Sequence, residues 1–142
     1  MKMKLKVSRA EMWLATIDDR AGGAAAVLDA VAKAGADFEF AFARRAPEQP
    51  GKGFLFVLPV KGAKVVKAAQ AAGLAKAEGI HTVKVEGSDK PGVSAAITCA
   101  LASAGISFRA FSATAVGRKF SGYLALDSAE DAAKAASVLK KL

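Results

Sequence analysis

Few side chains in this chain could make or break a bond. His81 is the only histidine and Cys99 the only cysteine. A nucleophile or general base needs a partner group within hydrogen-bond reach, and neither residue has one in its local pattern. No histidine or cysteine grouping has metal-ligand spacing. The stretch Ala21-Gly22-Gly23 lacks the lysine and the spacing of a phosphate-cradling loop. No catalytic residue, metal or cofactor is therefore expected, and the chain is not read as an enzyme. His81 is expected at a strand start, and Cys99 as a small core residue of a helix. What remains is chemistry of recognition. Two polar turns, Asp18-Asp19-Arg20-Ala21-Gly22-Gly23 and Ser88-Asp89-Lys90-Pro91-Gly92-Val93, each precede an apolar helical stripe. At the least, Asp19 and Asp89 favour a helix start, because negative charge is stabilised beside unpaired helix N–H groups.

The two turns are copies. A shift of 70 positions lays the first on the second, Val27 on Ile97, Val31 on Leu101 and Gly35 on Gly105. Further on, a shift of 69 matches Gly53-Phe54-Leu55 to Gly122-Tyr123-Leu124. Such self-similarity marks a repeated structural unit.

The elements that position each turn follow from periodicity. Met12 to Ile17 and Thr82 to Glu86 are short strands. Val93, Ala96, Ile97, Ala100, Leu101 and Ala104 recur at helical spacing, as do Ala24, Val27, Leu28 and Val31. Gly35 and Gly105 stand where helices end, and Pro91 suits a first helical position, where its missing N–H costs nothing. Phe38, Phe40 and Phe42 alternate with Glu39, Ala41 and Ala43, the period of a half-buried strand. Phe54 to Val60 and Ser121 to Leu126 are third strands; Ala63 to Ala72 and about Ala129 to Leu139 are second helices. Each copy is thus a βαββαβ unit. The fold class is α+β: two ferredoxin-like units, each an antiparallel sheet with both helices on one face. Residues 1–77 are assigned to the first unit, with 1–10 as its N-terminal extension, and 78–142 to the second. Residues 75–85 must then supply both the last strand of one copy and the first of the next, which leaves room for strand exchange. The second copy has too few residues after Leu139 for a fourth strand, and Lys2 to Val7 could fill that place.

Bulk properties narrow the setting. Hydrophobic residues make up 53% of the 142 residues, enough for packed cores, and the net charge is +8. The lysines are scattered, so the excess is first a solubilising surface and second an attraction for anions. One cysteine permits no intrachain disulfide. No run approaches the roughly 20 apolar residues of a membrane span, and Ser8-Arg9 and Glu11 interrupt any signal-peptide core. A cytoplasmic protein without membrane contact is expected.

At Asp89-Lys90-Pro91-Gly92-Val93, followed by Ala104-Gly105-Ile106-Ser107-Phe108, the sequence resembles an ACT domain. That family shows an Asp-x-Pro-Gly turn after its first strand and a Gly-Ile-x-Ile-like step into its second. Asp19-Arg20-Ala21-Gly22 and Gly35-Ala36-Asp37-Phe38 are similar but divergent, with Ala21 where proline is usual. The resemblance runs from about Glu11 onward. It implies a regulatory sensor of amino acids or similar small carboxylates, bound at interfaces between ACT units. The carried-over ligand residues are Asp18, Asp19, Arg20, Gly22 and Gly23, and Ser88, Asp89, Lys90, Gly92 and Val93. Helix N–H groups would take the carboxylate, an aspartate the ammonium, and the glycines would admit close approach. The resemblance further implies side-by-side pairing, within one chain or in a homo-oligomer such as a dimer, and a regulated enzyme in trans.

The same fold hosts RNA-recognition motifs. Lys52-Gly53-Phe54-Leu55-Phe56-Val57 resembles their third-strand signature, with Met12-Trp13-Leu14 as a first-strand companion. Nucleic acid is thus the alternative partner, through base stacking on an aromatic sheet face. Leu55 and Pro59 depart from that signature.

Overall fold

Residues 3–142 are described by a computed structural model. The chain divides into two units, one formed by Glu11–Ala77 and one by residues up to Ala10 together with Glu78–Leu142.

In the first unit β2 (Trp13–Asp18) leads to helix α1 (Gly23–Lys33), strands β3 (Phe40–Arg45) and β4 (Lys52–Leu58), helix α2 (Ala63–Ala71) and the two-residue strand β5 (Ala75–Lys76). The sheet order is β3-β4-β2-β5, and every pair is antiparallel. Alternation along the strands sends Trp13, Ala15, Leu55 and Val57 to one face, where Val27, Val31 and Ala69 of the two helices close the core.

In the second unit β6 (His81–Ser88), α3 (Val93–Ser103), β7 (Ala110–Val116), β8 (Lys119–Leu126) and α4 (Ala129–Leu139) repeat the pattern. Its core joins Val83, Val85 and Leu124 to Val93, Ile97 and Leu101 of α3 and Ala132, Ala135 and Leu139 of α4. Val93, Ile97 and Leu101 are four apart and form one stripe; burying a side chain such as Ile97 contributes about 1.5–3 kcal/mol. Both helices again lie on one sheet face, the ferredoxin-like arrangement expected. Cys99 is exposed, contrary to expectation, because it is two residues from Ile97 and faces away from that stripe.

The fourth strand of the second sheet comes from before the first unit. β1 (Lys6–Ala10) pairs with β6, Lys6 opposite Glu86 and Ala10 opposite Thr82, giving the order β1-β6-β8-β7. Of residues 1–10, read as an extension of the first unit, the described part from Met3 therefore belongs with the second. The reason is the free edge of β6, whose backbone groups need partners, and the apolar Leu5 and Val7, which pack on the second core. The strand starts later than the expected Lys2–Val7; Lys2 lies outside the described residues. Residues 75–85 are shared without exchange. β5 stays on β2, and the rest of the segment begins β6.

The strand registers correct one alignment. Ala15 pairs with Leu55, and Val85 with Gly122, so the third strands correspond by a shift of 67, not 69. Residues 46–51 join β3 to β4, whereas only Gly117 and Arg118 join β7 to β8. A two-residue slip returns every side chain to the same face, so the hydrophobic pattern matched while the register did not.

Candidate functional site

Each turn is built by a strand that ends beside a hairpin and a helix that starts on a glycine. The N–H of Asp19 donates to the carbonyl of Gly51 at 3.0 Å, and that of Asp89 to the carbonyl of Arg118 at 2.8 Å. Gly22 and Gly92 both stand at φ 88°, the left-handed region that glycine occupies without penalty. Neither α1 nor α3 has a side-chain cap. The N–H of Gly23 donates to the carbonyl of Arg20 at 3.1 Å, and that of Val93 to the carbonyl of Lys90 at 3.3 Å. The next two N–H groups, of Ala24 and Ala25 or Ser94 and Ala95, meet no acceptor among the described residues. They form the donor pair that a carboxylate could take.

The sequence-derived residues gather at these two turns, with different fates. Gly23 fits because a β-carbon there would collide with the carbonyl of Asp18. Val93 carries its side chain into the core, 3% exposed, so neither residue offers a ligand a free N–H or side chain.

The charged side chains differ more. In the first turn they are matched internally. Lys52 Nζ lies 2.7 Å from Asp18 Oδ1, Arg20 lies 3.6 Å from Asp18, and Arg45 Nε donates to Asp19 at 3.0 Å. The Lys52 hydrogen bond and charge, helped by Arg20, hold the Asp18 carboxyl below its usual range. In the second turn Ser88 replaces Asp18, so Lys119, at the register of Lys52, faces no carboxylate. Asp89, Lys90, Arg118 and Lys119 make no ion pair among the described residues. Sequence reasoning did not connect Arg45, Lys52 and Lys119 to the turns, because that relation exists only through hairpin register. Ser94 and Ala95 were legible as the start of a helix, but not as the free donors.

The aromatic face of the first unit is also formed. Phe42, Phe54 and Phe56 lie opposite the helices, with ring centroids 6.2 Å apart for Phe42–Phe56 and 6.4 Å for Phe54–Phe56. Arg44 Cζ stands 5.1 Å from the Phe54 ring, with its guanidinium also 3.3 Å from Glu48. Trp13, however, is 3% exposed and belongs to the core on the other face, which removes the expected first-strand stacking partner. Among the described residues no group of three or more His, Cys, Asp or Glu could hold a metal, and no helix is long and apolar enough to cross a membrane.

Comparison with known proteins agrees with this architecture. The family model of the ACT domain matches residues 81–142. The chain is similar in structure to protein BT0572 from Bacteroides thetaiotaomicron, with a TM-score of 0.75 at 15% identity over 96% of this chain and 99% of that one. It is similar to the regulatory subunit of aspartate kinase from Thermus thermophilus, with a TM-score of 0.63 at 21% identity over 98% and 95% of the two chains. Aspartokinase alpha and beta subunits give 0.61 at 18% identity over 100% of both chains. No curated protein matches the sequence. The matched residues contain the Asp-x-Pro-Gly turn and three strands of a sheet that β1 completes, and the first unit repeats that fold. Residues 81–142 therefore match the ACT domain, and they lie in the second of two units of the same ferredoxin-like fold that this chain carries in tandem.

Proposed function

We propose that the chain is a non-catalytic sensor that binds an amino acid or similar small carboxylate at the turn of its second unit and regulates a partner, such as an enzyme in trans. One observation carries the reading. Within the residues matched by the ACT model, Asp89-Lys90-Pro91-Gly92 leaves its aspartate without an ion pair, beside the free N–H groups of Ser94 and Ala95. A ligand carboxylate on those donors and an ammonium on Asp89 would satisfy both ends of an amino acid. The Thermus thermophilus neighbour, a regulatory subunit by its description, is consistent with a regulatory role. The same reading predicts a homo-oligomer and a cytoplasmic location.

A thermal-shift screen against the amino acids tests this. A ligand that binds only the folded chain raises the melting temperature, by an amount set by its concentration over Kd. With a ligand in hand, Asp89→Ala is expected to weaken binding about tenfold or more, the loss of one charge-assisted contact. Unchanged affinity in that variant would move the site elsewhere on the fold.

A further inference from the structure

The second unit is charged unequally from end to end. It holds twelve of the Lys and Arg residues against six Asp and Glu, whereas the first unit holds nine against seven. Six of the eight excess charges therefore lie in the unit with the proposed turn. The fold then sorts these charges. Lys6 pairs opposite Glu86 near the end of β6 where the turn begins, and Lys119 stands opposite Ser88. Arg118 accepts the Asp89 N–H on its carbonyl. Helix α4 finishes at the same end, since the Met3 N–H donates to the Leu142 carbonyl at 3.1 Å, which brings Lys140 and Lys141 there. Against them stand Asp89 and Glu86, and Glu86 is engaged with Lys84. The acids collect at the far end instead. Asp127 follows β8, and Glu130 and Asp131 fill the first turn of α4, where they favour its N-terminus.

From this sorting we infer that the ligand of the second unit is a dicarboxylate, an acidic amino acid or a close relative, rather than a neutral or cationic amino acid. The inference rests on the sensor reading and adds the ligand's charge class. One carboxylate takes the helix donors, and the second meets Arg118 and Lys119, whose counterparts in the first unit are spent or absent. Lys52 is paired with Asp18 there, and no cation matches Arg118, because Gly51 holds its hairpin position. A field of one sign over a small site raises the local concentration of the opposite ion and falls with ionic strength.

The test is binding of glutamate, aspartate, leucine and lysine to the full chain at low and high salt, by thermal shift and calorimetry. Glutamate or aspartate should bind, more weakly as salt rises, and Arg118→Ala with Lys119→Ala should weaken it about tenfold or more. The folded state is verified by the unliganded melting temperature, and Lys134→Ala serves as a control that leaves binding unchanged. Binding of leucine or lysine but of neither dicarboxylate would leave the sensor reading standing and overturn the charge class. Dicarboxylate binding indifferent to the double variant would overturn the role of this end. No binding of any amino acid would overturn both readings. Salt-sensitive binding of a single-stranded oligonucleotide without dicarboxylate binding would assign the basic end to phosphates instead.

Discussion

At the scale of the residue, one position separates the two copies. Asp18 and Ser88 end equivalent strands, and each faces a lysine across the hairpin. With the aspartate the lysine is paired; with the serine it is not. Because Lys52 depresses the Asp18 carboxyl, Lys52→Ala should return it toward the ordinary carboxylate range, as read by NMR titration of that side chain. The sign follows from linkage. A carboxyl whose folded value is lowered stabilises the fold above its unfolded value. That contribution fades as pH falls through the lowered value, so an acid titration should destabilise the parent more than Lys52→Ala over this interval. The effect should be small, since exposed pairs are screened by solvent. A glycine gives a second residue-scale test. Gly105 ends α3 at φ 72°, with the Ile106 N–H returning to the Leu101 carbonyl at 2.9 Å. Gly105→Ala should cost about 1–2 kcal/mol, the left-handed penalty for a residue with a β-carbon, measured by urea unfolding.

At the scale of the element, the stripe of α3 and the edge strand β1 matter most. Ile97 is fully buried between α3 and the sheet. Ile97→Ala should destabilise by about 2–5 kcal/mol through lost burial and the cavity left behind, read from the denaturation midpoint at unchanged slope. Removing residues 1–10 strips β1 from β6 and withdraws Leu5 from its contact over Gly87. Hydrogen exchange should then speed up along β6, which loses a ladder partner. Unchanged β6 protection would show that β1 is dispensable to that sheet. Much at this scale was readable beforehand. Helix spans followed from apolar spacing and terminal glycines, and α4 runs from Ala129 to Leu139 as expected. The short β5 was not readable, because two residues carry no period.

At the scale of the whole molecule, the tandem is a repeat in fold and not in charge. Since the first turn neutralises its own aspartates, calorimetric titration should give one ligand per chain; two equivalent sites would refute the division of roles drawn here. The aromatic face of the first unit bears on the nucleic-acid alternative, and there the fold overrules the motif. Trp13 is adjacent in sequence to residues of the open face, yet strand alternation sends it into the core. The sequence by itself determined the unit, its repetition and the place of both turns. These depend on local periodicity, caps and glycines, which act over a few residues. Only the tertiary structure decided which sheet takes β1, how the third strands register, which aspartates are already paired and where the positive charge collects. Those outcomes depend on which distant strands are neighbours, and period-2 alternation tolerates a two-residue slip without changing the face, so no reading of pattern alone could fix them.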